Sequence, residues 1–75
     1  MSRLPALGPR QVIRALERAG FVVHRVSGSH YVLKRADDPR LRVTVAWHNR
    51  DLKPKTLRTI IAQAGLSEEE FLGFL

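Results

Sequence analysis

The spacing of apolar residues changes twice along the chain, and these changes restrict the possible folds more than any other feature of the sequence. Apolar residues recur every three to four positions up to residue 19, alternate with polar ones over much of residues 21–47, and return to helical spacing after residue 54. The first and third patterns are typical of amphipathic helices, and the second is typical of strands with one buried face. A helix, a run of strands and a further helical region are therefore predicted in that order.

The N-terminal helix is predicted to begin at Pro9, because proline is tolerated in the first turn, and to end at Gly20. Val12 and Leu16 belong to its buried stripe. Residues 1–7 show no periodic pattern and are predicted to be a flexible arm. The packed part of the protein is therefore expected to start near Pro9.

Three segments combine alternation with β-branched residues, and they span residues 21–26, 30–34 and 41–48. Phe21 and Val23 are expected to face the core. A tight turn at residues 27–29 joins the first two segments, so that they form a hairpin. Pro39 is assigned to a second turn, because proline cannot occupy a central strand. The segments therefore predict an antiparallel meander.

Two further helices are predicted in the C-terminal part of the chain. The first begins at Pro54 and ends at Gly65, and the residues of its buried stripe are Leu57, Ile60, Ile61 and Ala64. Ser67 is the predicted N-cap of a short last helix, and Glu70 is its capping-box partner. Glutamates at positions 68–70 favour the positive end of a helix dipole, so we interpret them as capping residues and not as a metal site.

Together the elements predict a single α+β domain over residues 1–75, with the order α-β-β-β-α(α). Three antiparallel strands form a sheet, and the helices pack on one of its faces. The opposite face of the sheet is then available for a partner.

Charge and composition narrow the class of partner. Thirteen Lys and Arg against seven Asp and Glu give a formal net charge of +6, and ten of the thirteen are Arg. Guanidinium groups suit bidentate contacts with phosphate, so nucleic acid is the favoured partner and an acidic protein is the alternative. The sequence has no cysteine, no apolar stretch long enough for a membrane span and no signal peptide, so a cytoplasmic protein is expected.

Histidine is the side chain of this sequence best suited to proton transfer near neutral pH, and there are three. His24 lies within the first strand and is interpreted as a partly exposed sheet residue. His30 follows the turn glycine Gly28, where the backbone can approach a ligand closely, but the residues alone favour a turn histidine without a chemical role. His48 is expected at the same end of the sheet as His30, either as a second acid–base or phosphate-binding group or as a solvated strand-end residue.

Basic residues are concentrated around the start of the second predicted helix, at Lys53, Lys55 and Arg58. A helix N-terminus with nearby bases is suited to phosphate, so these three are candidate phosphate contacts. The arginines of the first helix are interpreted as a solvated face. Neither the histidines nor the carboxylates have metal-ligand spacing, so no metal and no cofactor is expected.

Five short motifs follow one another in a distinctive order. They are Pro9-to-Gly20 followed by Phe21, Gly28-Ser29-His30, Val43-Thr44-Val45 with His48, Leu52-Lys53-Pro54 with Thr56-Leu57-Arg58, and Gln63-Ala64-Gly65-Leu66-Ser67 with Glu70 and Phe71. No single motif is specific, but the ordered set, which covers roughly residues 8–72, resembles the HicA-type mRNA interferase toxins of toxin–antitoxin systems.

This resemblance implies a fold like that of the double-stranded-RNA-binding domain, used to cleave mRNA. The catalytic histidine of HicA-type toxins corresponds to His30, and the Gly-Ser that precedes it corresponds to Gly28 and Ser29. Their partner is a HicB-type antitoxin that neutralises the toxin, and DNA is met only indirectly, through the antitoxin complex. The resemblance therefore makes His30 the expected catalytic residue and RNA the expected substrate.

The chain departs from the usual HicA pattern at two positions. Many members have a second histidine where this chain has Tyr31, and many have glycine where it has Lys55. Tyr31 can stack on a base or pack within the protein, and Lys55 adds charge at the helix start. Two other functions stay open: a non-catalytic RNA-binding module of the same fold, and a protein-interaction domain for an acidic partner.

Overall fold

A computed structural model describes residues 4–75. Its elements follow the predicted order, and they are α1 (Pro9–Arg18), β1 (Phe21–Ser27), β2 (His30–Arg35), β3 (Asp38–Ala46), α2 (Pro54–Gln63) and α3 (Glu68–Leu72). The order and the antiparallel sheet fit the predicted α+β fold of the double-stranded-RNA-binding-domain type. Within the described residues, no helix has the length and apolar character needed to cross a membrane.

The strands form an antiparallel sheet in the order β1-β2-β3, so β2 is central and the other two are edge strands. Leu33 of β2 pairs with Val23 on one side and with Val43 on the other. Directly opposed residues of an antiparallel sheet point to the same face, and Leu33 and Val43 are fully buried. The helices therefore cover this face, and the other face of the sheet is open.

The hydrophobic core lies between the covered face and the helices. The sheet contributes Phe21, Leu33, Val43 and Val45, each at most 2% exposed. The helices contribute the stripes that the sequence predicted, with Val12, Ile13, Leu16, Leu57, Ile60 and Ile61 as buried members, and α3 adds Phe71. Burial of each such side chain stabilises the fold by about 1.5–3 kcal/mol, so this core is the main source of stability in a chain without cysteine.

The start and the end of α1 are specified by local residues. Pro9 occupies the first turn, and the side chain of Gln11 accepts a hydrogen bond of 2.9 Å from the Gly8 N–H. Gly20 follows the helix with φ of +102°, a backbone conformation that residues with a Cβ rarely adopt. Both predicted ends of this helix are confirmed.

Strand β1 is less regular than predicted. Val23 lies on the covered face, as expected, but it is 39% exposed and is therefore not a buried core residue. Two features explain the exposure. An edge strand has a neighbour on only one side, and a β-bulge interrupts the register between Val23 and Arg25.

Strand β3 begins earlier and ends earlier than predicted. Pro39 lies inside it and not in a turn, because β3 is an edge strand, where a residue without an N–H is tolerated. The pairing with β2 is irregular at this end, since Arg35 pairs with Asp38 while Lys34 pairs with Arg42. At the other end the strand stops at Ala46.

The N-terminal segment differs from the predicted flexible arm of residues 1–7. Leu7 is only 4% exposed and belongs to the core, and Leu4 packs against it. The carbonyl of Leu7 accepts a hydrogen bond of 2.8 Å from the Leu52 N–H, which ties the segment to the loop before α2. Residues 1–3 of the predicted arm lie outside the described residues.

Candidate functional site

The turn between β1 and β2 places His30 at the first position of β2. Ser27 pairs with His30 across this turn, and Gly28 between them has φ of +58°. A Cβ at Gly28 would meet no atom within 4 Å, so the backbone conformation and not lack of space accounts for the glycine here. The sequence predicted this turn, with Gly28 as its glycine.

The side chain of His30 belongs to the open face of the sheet. Its neighbour Tyr31 pairs with the buried Val45 and therefore points to the covered face, and successive residues of a strand point to opposite faces. His30 is exposed, and its partner on β3 is Ala46. The imidazole is therefore accessible from solvent.

His48 lies at the same end of the sheet as His30, as the antiparallel arrangement predicted. The ladder continues one residue past β3, because the Trp47 N–H donates a hydrogen bond of 2.6 Å to the Ser29 carbonyl. His48 follows directly and is exposed, two positions beyond the partner of His30. The remaining histidine, His24, is exposed at the bulge of β1, as expected of a sheet residue.

Tyr31 and Trp47 support this end of the sheet from the covered side. Their ring centroids are 5.1 Å apart with an interplanar angle of 35°, and both side chains are partly buried against the core. Of the two roles left open for Tyr31, the structure therefore shows packing. Tyr31 directly follows His30 and Trp47 directly precedes His48, so the ring contact supports the backbone next to both histidines.

An open groove of about 710 Å³ runs from this end of the sheet to the first turn of α2. Its size falls within the roughly 300–1,000 Å³ of small-ligand sites. The lining residues come from the end of β3, the following loop and α2, and they are Ala46, His48, Asn49, Arg50, Asp51, Leu52, Lys53 and Thr56. Ala46 is the residue opposite His30, so the groove begins beside that histidine.

The predicted phosphate contacts of α2 do not all reach this groove. Lys53, the N-cap of the helix, lines it, whereas Lys55 is exposed outside it. The Nε atom of Arg58 lies 3.7 Å from Oε2 of Glu68, which directs Arg58 toward α3. Thr56 and Arg58 are two residues apart and thus about 200° apart around the helix, so they occupy opposite flanks. The structure brings His48 and Lys53 to the same groove, places His30 opposite its lining residue Ala46, and places Arg58 elsewhere.

Among the lining residues, His48 and Lys53 were candidate site residues from the sequence, whereas Asn49 and Thr56 were not. The buried position of Leu57 already implied that Thr56 lies on a flank of α2. Which of the two flanks meets the loop, however, depends on how α2 packs against β3. Helical spacing alone could not supply that information.

No group of three or more histidine, cysteine, aspartate or glutamate side chains in residues 4–75 is arranged to hold a metal ion. The two acidic side chains with a shifted pKa lie outside the groove. A hydrogen bond from Arg40 lowers the pKa of Asp38, and a backbone hydrogen bond from Ser67 lowers the pKa of Glu70. Both pKa shifts therefore result from local structural contacts.

Fold and site define a class. The protein is a small basic α+β protein, and histidine and lysine side chains line an open groove at one end of its sheet. The family model described as the HicA toxin of bacterial toxin–antitoxin systems matches residues 9–66. This match covers most of the 75 residues, so the chain belongs to the HicA toxin family. No curated protein matches the sequence. The family assigns the chain a toxin role and an antitoxin partner.

Proposed function

We propose that this toxin is an endoribonuclease that cleaves mRNA with His30 as its catalytic residue and needs no protein-bound metal. The observation that carries the proposal is the position of His30, exposed on the open face and adjacent to the groove that His48 and Lys53 line. Imidazole is suited to proton transfer near neutral pH, and the ammonium group of Lys53 is suited to phosphate.

The proposed reaction is a transesterification within the RNA strand. One imidazole accepts the proton of a ribose 2′-hydroxyl, O2′ forms a bond to the adjacent phosphorus, and the bond from phosphorus to O5′ breaks. A proton donated to O5′ completes the step, which leaves a 2′,3′-cyclic phosphate and a 5′-hydroxyl. His30 can serve as the base or as the acid, and His48 is the candidate for the other role.

The charge that develops on the phosphorane needs stabilising donors. Lys53 lines the groove, and the backbone of Gly28 and Ser29 adjoins His30. Preorganised cations and N–H groups stabilise such charge because they need no reorganisation during the reaction. DNA lacks the 2′-hydroxyl, so the mechanism predicts that DNA is not cleaved.

The test is incubation of the purified protein with a long single-stranded RNA in EDTA. Wild type is expected to produce fragments with 2′,3′-cyclic phosphate ends, and His30→Ala is expected to lose at least about 100-fold in rate, the usual size of acid–base catalysis. His24→Ala is the matched control, because it removes another exposed histidine of the same sheet. It is expected to cleave like wild type.

Three results would contradict the proposal. Cleavage of DNA of matched length excludes the 2′-hydroxyl mechanism, and equal losses in the two histidine variants remove the special role of His30. If wild type and His30→Ala bind RNA equally and neither cuts it, the protein is a non-catalytic RNA-binding module of the same fold.

The antitoxin partner that the family implies is proposed to be a HicB-type protein that covers the groove and neutralises the toxin in the cytoplasm. Contact with DNA is then indirect, through the antitoxin complex. Addition of a HicB-type protein is expected to stop cleavage by wild type and to protect His48 and Lys53 from chemical modification. Inhibition without this protection would place the partner elsewhere on the toxin.

A further inference from the structure

The open face of the sheet carries a set of basic side chains outside the groove. We define the open sheet face by three cross-strand rows, which start on β1 at Val22, Arg25 and Ser27. The first row continues to Lys34 and Arg42, and the last row contains His30. The remaining positions are valine, threonine, serine and alanine, so this face has three cations and no carboxylate.

These three cations have no counterion at ion-pair distance in the part of the chain that the structure describes. Among residues 4–75, neither Arg25 nor Lys34 nor Arg42 forms an ion pair, whereas Arg35, Arg40 and Arg58 each do. Lys34 and Arg42 are moreover direct cross-strand partners. Like charges opposite each other destabilise a sheet, so their arrangement is unfavourable until an anion neutralises them.

The open sheet face is continuous with the proposed catalytic residue. Lys34 and His30 are on the same strand and the same face, and four residues of a strand span about 13 Å. That distance exceeds the length of one nucleotide, so a strand whose scissile phosphate lies at His30 can continue over Lys34 and Arg42. The face has no aromatic residue on which a base could stack, so its contacts would be with phosphate.

We propose that the open sheet face binds the sugar–phosphate backbone of single-stranded RNA on one side of the cleavage position, through Arg25, Lys34 and Arg42. This inference rests on the proposed function and identifies a binding surface beyond the groove. Single-stranded RNA is favoured over an acidic protein segment because the face leads directly to His30. The contacts are independent of base sequence, so this face adds affinity and not sequence preference.

The test compares two double variants that remove the same charge. Lys34→Ala with Arg42→Ala acts on the open sheet face, whereas Arg10→Ala with Arg14→Ala acts on the exposed side of α1, in the helix layer. Binding of a labelled RNA of about 12 nucleotides is measured in the His30→Ala background by fluorescence anisotropy over a range of salt concentrations. KM and kcat of cleavage are measured with His30 present.

The sheet variant is expected to bind at least about tenfold more weakly, with a salt slope reduced by about 1.4, the value for two phosphate contacts on a single strand. Its KM rises and its kcat stays near that of wild type. The α1 variant changes affinity by less than about twofold, because its charges are distant from the bound strand and screened. The melting temperature of the sheet variant is no lower than that of wild type, since two opposed like charges are removed.

Equal losses in both variants would overturn the proposal, because net charge would then explain the binding. Unchanged RNA affinity in the sheet variant would also overturn it and would leave cleavage by His30 intact. If that variant instead loses binding to the antitoxin, the face belongs to a protein interface. If wild type itself neither binds nor cleaves RNA, the proposed function is wrong. This result differs from the ones above, which concern the open sheet face alone.

Discussion

Helices α2 and α3 are both short, but their N-termini are built in opposite ways. At the start of α3, the Ser67 side chain accepts a hydrogen bond of 3.0 Å from the Glu70 N–H, and the Glu70 carboxylate accepts one of 2.8 Å from the Ser67 N–H. Three glutamates occupy the first turn. The N-terminus of α3 is therefore capped by its own residues, as the sequence predicted.

The start of α2 lacks each of these features. Its N-cap is Lys53, whose side chain makes no capping hydrogen bond in the part of the chain that the structure describes, and its first turn contains no acidic residue. A cation at the positive end of a helix dipole is unfavourable on its own, and the free N–H groups there attract anions. Lys53 also lines the groove beside His48.

The contrast shows that the start of α3 contributes to stability, and it supports the proposal that the start of α2 binds an anion. The residues at the start of α3 neutralise the positive end of that helix, whereas those at the start of α2 leave that helix end positive and accessible. A bound phosphate would supply at α2 the negative charge that the glutamates supply at α3. Three experiments can break or sharpen this comparison.

The largest effect is expected from Lys53→Asp, which gives α2 a capping residue like that of α3. The kcat/KM for RNA is expected to fall at least tenfold, or about 1.4 kcal/mol, because the proposed phosphate contact would become a repulsion. The free energy of unfolding should meanwhile rise by about 0.5–1 kcal/mol, since aspartate caps a helix well. Cleavage kinetics and urea denaturation measure the two changes.

Lys55→Asp is the matched control for that experiment. It places an acid in the same helical turn but outside the groove, so it should stabilise the protein by a similar amount and reduce cleavage less. If both variants lose the same activity, overall charge and not the groove determines binding.

Ser67→Ala is expected to have the reverse effect at α3. Loss of the cap should lower the free energy of unfolding by about 1 kcal/mol, with cleavage unchanged. Ser67→Asp, which retains a capping oxygen, should restore stability in urea denaturation. A clear loss of kcat in a folded Ser67→Ala protein would mean that α3 contributes to the site.

The smallest effect concerns the pH dependence of stability. Hydrogen bonds from Ser67 hold the pKa of Glu70 below its ordinary value of 4.5, so the folded state favours the ionised carboxylate. The stability that this provides is present above the unfolded pKa and is lost as the pH falls through the folded one. Urea midpoints near pH 7 and near pH 3 should therefore differ less in Glu70→Gln than in wild type.

Glu69→Gln is the control for the pH experiment, because Glu69 lies in the same turn. Its urea midpoints should follow those of wild type at both pH values. An equal change in the two glutamine variants would assign the effect to the helix dipole and not to the capping box.

Local features of the sequence determined much of the fold. Helical spacing identified the buried stripes of α1 and α2, Gly20 marked the end of α1, and the pair of Ser67 and Glu70 identified the start of α3. In each of these cases the interacting residues lie within four positions of one another. Such contacts form by the same rules in any tertiary context, so the residues alone are sufficient to predict them.

The site was predictable only in part. The antiparallel order of β2 and β3 placed His30 and His48 at one end of the sheet, and the family resemblance singled out His30 as the expected catalytic residue. The membership of Thr56 in the groove and the orientation of Arg58 toward Glu68 were not foreseen. Both depend on the rotation of α2 against the sheet, which side-chain packing between distant segments decides.

The sequence by itself thus determined the elements, their order and the residue types available for chemistry. Only the tertiary structure decided that Leu7 belongs to the core, that Val23 is exposed at an edge, and that Lys34 and Arg42 face each other. The physical reason is the range of the interactions. Caps and periodicity act between near neighbours, whereas burial and strand register depend on residues that are far apart in the chain.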